Sequence, residues 1–275
     1  LYCRLLDIQH RGQDSYGYSD GLNIEKHMSL IKEQPKVIEG NIAIAHTRYR
    51  TSGEIDIGNS QPVTKNNITL VHNGNVDLVH KYSDTYGLLD YIINYHRGDI
   101  IETLKHVINN VNGSFFVLMI YEDCIYAFKD KHGIRPGCYG RKGDDVIFSS
   151  EDNYFHSNGI EFINDVQPGQ IVKLEKGVIS SYQTTNILQP CIFEYIYLSH
   201  PKSTIYGLNV RDFRLRIAKT CIKLLEHTTI DVVCCVPNSA RIYALEIARL
   251  LKKPYFEPMV LNKRTFIMPS QEERE

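Results

Sequence analysis

Across the first two thirds of the chain, short runs of β-branched and aromatic residues alternate with turn residues. They predict strands at Asn41–Ala45, Ile68–His72, Phe115–Tyr121, Cys124–Phe128, Val146–Ser149 and Gln170–Leu174. Between them, Thr85–Tyr95 and Ile100–Asn110 repeat apolar residues at spacings of three and four, as amphipathic helices do. Strands beside paired helices predict sheets packed under helices, an α+β layered domain.

The pattern changes across residues 183–190, a polar connection that ends in Pro190. Beyond it the order becomes helix, strand, helix. Arg211–Glu226 is amphipathic, Ile230–Val236 is a continuous apolar strand, Ala240–Leu251 is a second helix, and Pro254–Val260 is strand-like. An apolar strand between helices predicts the start of a doubly wound parallel sheet. The chain ends too early for that sheet to close. Two domains are expected, residues 1–188 and 189–275, with no internal repeat or low-complexity tract.

Composition narrows the class. The 275 residues are 43% apolar and 23% charged, with a formal net charge of -1, which offers no bulk attraction to nucleic acid or an anionic membrane. No apolar run approaches the roughly 20 residues that span a bilayer. Seven cysteines without a CxxC pair, four of them (Cys124, Cys221, Cys234 and Cys235) in apolar stretches expected to be buried, point to reduced thiols in a cytoplasmic compartment. No group is singled out as a metal ligand.

Four short segments carry candidate chemistry: Gln9-His10-Arg11-Gly12-Gln13-Asp14, His46-Thr47-Arg48-Tyr49, His72-Asn73-Gly74-Asn75, and Ser83-Asp84. Arg48 follows one expected strand, Asn73-Gly74 follows the next, and Asp84 precedes an expected helix. Singly, each has a plain structural reading. Asn-Gly after a strand is most often a hairpin turn, Ser-Asp before a helix is usually an N-cap, and an arginine after a strand is commonly solvated. His10 and His46 more often satisfy local backbone groups than catalyse. It is the joint occurrence and order that point to a site.

Together these segments resemble the glutaminase domain of the N-terminal-nucleophile amidotransferases, in which an N-terminal cysteine attacks the side-chain amide of glutamine. The resemblance implies an α+β layered α/β/β/α glutaminase fold over residues 1–188, with the first strand and the Cys-Gly-Ile opening lying before the chain given. Cys3 is too close to the Gln9–Asp14 motif to match that cysteine. Arg48 would bind the glutamine α-carboxylate and Asp84 its α-ammonium, with Thr51 a further substrate contact. Asn73 and the Gly74 N–H would form the oxyanion hole, and Arg11 would order the nucleophile region. The chemistry fits: a zwitterionic amino acid needs one cation and one anion at fixed separation, and a bidentate arginine suits the carboxylate.

Later segments are similar to those of the amidophosphoribosyltransferases. They are His132-Gly133-Ile134-Arg135-Pro136, Ser149-Ser150-Glu151, Asp165-Val166-Gln167-Pro168-Gly169 and Phe193-Glu194-Tyr195-Ile196-Tyr197, followed by Ile230–Arg241, Lys253-Pro254-Tyr255 and Arg264-Thr265-Phe266-Ile267-Met268-Pro269. The resemblance implies the front of a type I phosphoribosyltransferase domain over 189–275, with Arg264 and Thr265 in the acceptor-site loop. It implies conversion of glutamine, phosphoribosyl pyrophosphate and water to 5-phosphoribosylamine, glutamate and pyrophosphate, the first step of purine synthesis. Mg²⁺ would accompany the pyrophosphate, and purine nucleotides and a homotetramer are implied as inhibitors and assembly. Cys191 aligns with a cysteine that ligates an iron–sulfur cluster in some members and not in others, which leaves the cluster open.

The departures from the family pattern are His200 and Lys202, Asn238, Arg50, and a segment before Arg264 three residues shorter than usual, Leu261-Asn262-Lys263. They keep two alternatives in view: another glutamine amidotransferase with a sugar-phosphate acceptor, and a diverged, non-catalytic metabolite-binding relative.

Overall fold

The computed structural model describes residues 2–31, 40–49, 57–225 and 227–259. The chain divides into two compact units, Leu1–Cys191 and Ile192–Glu275. Among the described residues no helix is long and apolar enough to cross a membrane.

In chain order, the first unit contains α1 (Tyr2–Asp7), β1 (Ser15–Ser19), β2 (Ile24–His27), β3 (Ile44–Arg48), β4 (Val63–Lys65) and β5 (Ile68–Val76). Next come α2 (Asp84–Tyr95), α3 (Ile100–Asn110), β6 (Gly113–Tyr121) and β7 (Cys124–Lys129). It closes with β8 (Cys138–Lys142), β9 (Asp145–Ser149), β10 (Glu161–Asp165), β11 (Gln170–Glu175) and β12 (Val178–Gln183). A six-stranded antiparallel sheet runs β12-β11-β7-β6-β5-β4, with two three-stranded sheets, β2-β1-β3 and β10-β8-β9.

The central strands are buried on both faces, which is why they read as near-continuous apolar runs. Alternate residues Phe115, Val117 and Met119 of β6 join Leu88, Leu89 and Ile92 of α2 and Leu104, Val107 and Ile108 of α3 in one core. Their neighbours Phe116 and Ile120 face the other way, toward Tyr139 of β8 and Ile44 of β3 respectively. On β1, Tyr16 and Tyr18 pack with Leu5 of α1. The helices start at bonded caps: Ser83 accepts from Tyr86 N–H and Asp99 from Glu102 N–H.

The second unit holds β13 (Thr204–Ile205), β14 (Leu208–Asn209), α4 (Val210–Ile222), β15 (Val233–Cys234), α5 (Arg241–Leu251) and β16 (Tyr255–Phe256). Buried Arg214 of α4 donates to the Tyr195 carbonyl at 2.7 Å and the Ser199 carbonyl at 2.8 Å, fastening the entry turn to the helix. β15 and β16 pair in parallel, with α5 between them in the chain. The expected strand Ile230–Val236 is thus only two residues long, and Pro254–Val260 is similarly reduced. Among the described residues β15 has β16 as its sole neighbour, and a strand extends only as far as its ladder. Cys234 is exposed and Cys221 half-buried, against the expectation of burial, whereas Cys124 and Cys235 are buried.

Candidate active site

The ends of three elements gather the residues singled out above. Arg48 is the last residue of β3, opposite Ser15 of β1. Its carbonyl accepts from Asp14 N–H at 3.0 Å and its guanidinium donates to the Asn59 carbonyl at 3.0 Å. Burial lowers the guanidinium pKa from its ordinary value, and the Asp84 and Asp14 carboxylates oppose that shift. Arg48 and Asp84 therefore lie within electrostatic reach of each other, a partly buried cation and anion.

Asn73 and Gly74 lie inside β5, opposite Phe116 and Phe115 of β6, and not after a strand as expected. A local Asn-Gly signal for a turn loses here to a partner strand that continues the ladder to Gly113. Gly74 has φ +145°, and a Cβ there would sit 1.8 Å from the Ser114 carbonyl oxygen, so only glycine fits. Asn73 Nδ2 is buried and has no hydrogen-bond partner among the described residues. An orphaned, buried amide donor is costly unless a ligand completes it. Asp84 is the first residue of α2 and not the residue before it; Ser83 is the cap. The Asp84 carboxylate accepts from Val76 N–H at 3.2 Å, tying the end of β5 to the start of α2.

Two imidazoles neighbour these groups, His72 buried and His46 half-buried. His46 is pushed down to about 3 by burial, with His72, Arg48 and Arg11 adding repulsion. His72 is also lowered, by burial first and by Arg135, against the attraction of Asp84. Both are neutral near pH 7. Sequence reasoning passes over Gln61, whose amide accepts from His72 N–H at 2.6 Å and donates to the His72 carbonyl at 3.1 Å and Thr85 Oγ1 at 3.2 Å.

Arg11 closes a short 3-10 turn, Gln9–Arg11, and its guanidinium meets the buried Glu151 carboxylate at 2.5 Å, with His10 Nε2 at 2.8 Å from the same oxygen. Gly12 follows directly; a Cβ on it would come within 2.2 Å of Arg48 N, so this turn lies against the end of β3. In the sequence Glu151 stands out only as part of a motif, with nothing to mark its pairing. Across the sheet, buried Asp130 accepts from Phe115 N–H at 3.0 Å and His132 N–H at 2.9 Å, which anchors the His132–Pro136 turn to β6. Thr51, Arg264 and Thr265 lie outside the described residues, as does Arg50.

The chain is 33% identical over 327 residues to the amidophosphoribosyltransferase of Methanocaldococcus jannaschii, a match covering 100% of this chain and 69% of that protein. The chain belongs to the amidophosphoribosyltransferase family. The relative from Methanothermobacter thermautotrophicus is 34% identical, with 100% of this chain and 65% of the relative covered. No family model matches. Among solved structures, the glutamine phosphoribosylpyrophosphate amidotransferase from B. subtilis, complexed with ADP and GMP, aligns with a TM-score of 0.81 at 30% identity, covering 99% of this chain and 66% of that one. A structure described as the allosteric regulatory enzyme of purine biosynthesis aligns with a TM-score of 0.84 at 30% identity. The chain spans about two thirds of the length of these amidophosphoribosyltransferase relatives, 65–69% for the two archaeal proteins.

Family membership does not itself supply a metal site. Among the described residues no group of three or more His, Cys, Asp or Glu side chains could hold a metal ion. Cys191 is half-buried.

Proposed function

We propose that the chain carries the glutamine-hydrolysing unit and the front of the phosphoribosyl-transferring unit of an amidophosphoribosyltransferase. The reaction is conversion of glutamine, phosphoribosyl pyrophosphate and water to 5-phosphoribosylamine, glutamate and pyrophosphate, the first step of purine synthesis. The observation that carries this reading is the conjunction of Arg48 at the end of β3, Asp84 at the start of α2 and, within β5, an Asn73 amide without a hydrogen-bond partner among the described residues.

Each group has a role that its chemistry favours. The Arg48 fork receives the α-carboxylate and Asp84 the α-ammonium, so that the substrate's backbone is fixed and its side-chain amide is directed along β5. As a thiol of the kind the family uses adds to the amide carbon, Asn73 Nδ2 and the Gly74 N–H donate to the oxygen that gains charge. The carbon–nitrogen bond then breaks as the thiol's proton passes to the departing nitrogen, which leaves as ammonia for transfer to the ribose C1. Water hydrolyses the remaining thioester to release glutamate. Arg11, held by Glu151, orders the approach beside β3. Thr51 is proposed as a further glutamine contact, and Arg264 and Thr265 as acceptor-site residues. The proposed α/β/β/α layering is supported by the packing of Leu5 of α1 with Tyr16 and Tyr18 of β1.

Phosphoribosyl pyrophosphate would arrive with Mg²⁺ on its diphosphate oxygens, since hard cations prefer such ligands. Purine nucleotides are proposed inhibitors, in keeping with the ADP and GMP bound to the B. subtilis relative, and the homotetramer remains the proposed assembly. The test uses the complete native polypeptide with phosphoribosyl pyrophosphate and either glutamine or ammonia. Formation of 5-phosphoribosylamine from both donors is expected. A requirement for a different sugar phosphate, or inertness toward both donors, would reject the proposal.

A further inference from the structure

We infer that Gln61 is a positioning residue for glutamine hydrolysis, a role that rests on reading this pocket as the glutamine site. The inference starts from sheet register. β4 pairs with β5 through Val63 opposite Leu70 and Lys65 opposite Ile68, and the ladder stops there. Continued by one more step of two residues, the same register would set Gln61 opposite His72. The backbone pairing is replaced by a side-chain one. The Gln61 amide accepts from His72 N–H at 2.6 Å and donates to the His72 carbonyl at 3.1 Å. One donor and one acceptor on a single residue reproduce the exchange of a hydrogen-bonded antiparallel pair.

The third bond gives this mimicry its consequence. Gln61 Nε2 also donates to Thr85 Oγ1 at 3.2 Å. His72 immediately precedes Asn73 and Gly74, the proposed oxyanion donors, and Thr85 immediately follows Asp84, the proposed ammonium ligand. One buried side chain, 6% exposed, therefore grips the residue before one half of the site and the residue after the other. The His72 carbonyl faces β4's side of β5, where the outer strand has ended, so no backbone group of β4 substitutes for the Gln61 amide. An apolar side chain of equal length would leave the His72 peptide groups unsatisfied, with the Asp84–Val76 hydrogen bond left to hold the two halves without it.

Gln61 touches no reacting atom, so its removal should act through Asn73, Gly74 and Asp84. In the complete native polypeptide, Gln61→Met is expected to lower kcat/KM for glutamine by up to about 100-fold, the scale of an ångström-sized misplacement. Ammonia-dependent formation of 5-phosphoribosylamine should stay at the wild-type rate. In an Asn73→Ala background the same change should cost much less, because the group it positions is already gone. Gln61→Glu keeps the acceptor for His72 N–H and regains a donor only when protonated, so its glutamine-dependent rate relative to wild type should rise as pH is lowered. An unchanged kcat/KM in Gln61→Met overturns the inference. So does a parallel loss with both nitrogen donors alongside a lowered Tm, additivity with Asn73→Ala, or a flat pH ratio for Gln61→Glu. A wild-type protein that uses ammonia but not glutamine would instead reject the functional reading on which the inference rests.

Discussion

Gly74→Ala is the sharpest perturbation that the structure offers. At φ +145° an added Cβ meets three backbone atoms: the Ser114 carbonyl oxygen at 1.8 Å, the Ser114 carbonyl carbon at 2.8 Å and Phe115 Cα at 2.9 Å. None of these is the movable end of a side chain, so relief requires β5 and β6 to part. Losing two or three ladder bonds at about 0.5–1.5 kcal/mol each, with about 1–3 kcal/mol of residual backbone strain, gives a cost of about 2–7.5 kcal/mol. That is a large share of the roughly 5–15 kcal/mol by which folded domains are stable. The Gly74 N–H moves with its strand, so glutamine turnover in the folded fraction should also fall, by about 100- to 1000-fold. Gly143→Ala is the control. Gly143 has φ +59° with nothing within 4 Å of an added methyl, so it should cost only the left-handed penalty of about 1–2 kcal/mol. Denaturant unfolding and glutamine hydrolysis, measured on both variants, check the reasoning. If Gly74→Ala is no less stable than Gly143→Ala and hydrolyses glutamine at the wild-type rate, the close approach of β5 and β6 at this point is wrong.

Arg48→Ala should raise the KM for glutamine by about 10- to 150-fold, the worth of one charge-assisted hydrogen bond, with little change in kcat; an unchanged KM in steady-state kinetics counts against the carboxylate role. Asn73→Ala should do the reverse, lowering kcat by about 100- to 1000-fold with KM near the wild-type value. Glu151→Gln removes the carboxylate that Arg11 and His10 share, and a broken buried pair costs about 3–5 kcal/mol, which chemical denaturation would register as a shifted midpoint. Stability should also fall in acid. His46 sits near 3 in the folded state against 6.5 in model peptides, so below 6.5 the unfolded chain binds a proton that the native protein does not. His46 therefore costs nothing above that pH and costs about 1.4 kcal/mol per pH unit as pH falls from 6.5 toward 3, with His72 adding in the same direction. A His46→Gln variant should flatten that slope, and a slope unchanged by the substitution would discount the neutral imidazole.

Much of the fold was legible where the hydrophobic period was strong. α3 spans Ile100–Asn110 as its spacing predicts, and the expected strands at Ile68, Phe115, Cys124 and Gln170 begin at or within two residues of β5, β6, β7 and β11. β1 is hard to see in the sequence because its five buried residues, Ser-Tyr-Gly-Tyr-Ser, include only two large apolar side chains and no period of two in hydrophobicity. β8, with Cys138, Tyr139 and Gly140 buried ahead of Arg141 and Lys142, is similarly faint. Within the site, residue types in order were enough to single out Arg48, Asn73, Gly74 and Asp84, but not their exact settings. Asn-Gly is a turn signal until a partner strand is known, and β6 overrides it. Gln61 and Glu151 could not be found locally, because their roles depend on partners 11 and 140 residues away. The shortened Ile230–Val236 strand has the same origin: apolar content makes a segment eligible for a sheet, but the neighbouring strand sets its length.

The central claim is that Arg48 and Asp84 hold the two charged ends of one free amino acid beneath the Asn73–Gly74 peptide. A crystal structure of the complete polypeptide soaked with glutamate, the hydrolysis product, tests it most directly. The account predicts the α-carboxylate on the Arg48 guanidinium, the α-ammonium on Asp84 and a side-chain oxygen within hydrogen-bond distance of Asn73 Nδ2. Glutamate bound at another locus, or bound here with those two contacts exchanged for others, would contradict it.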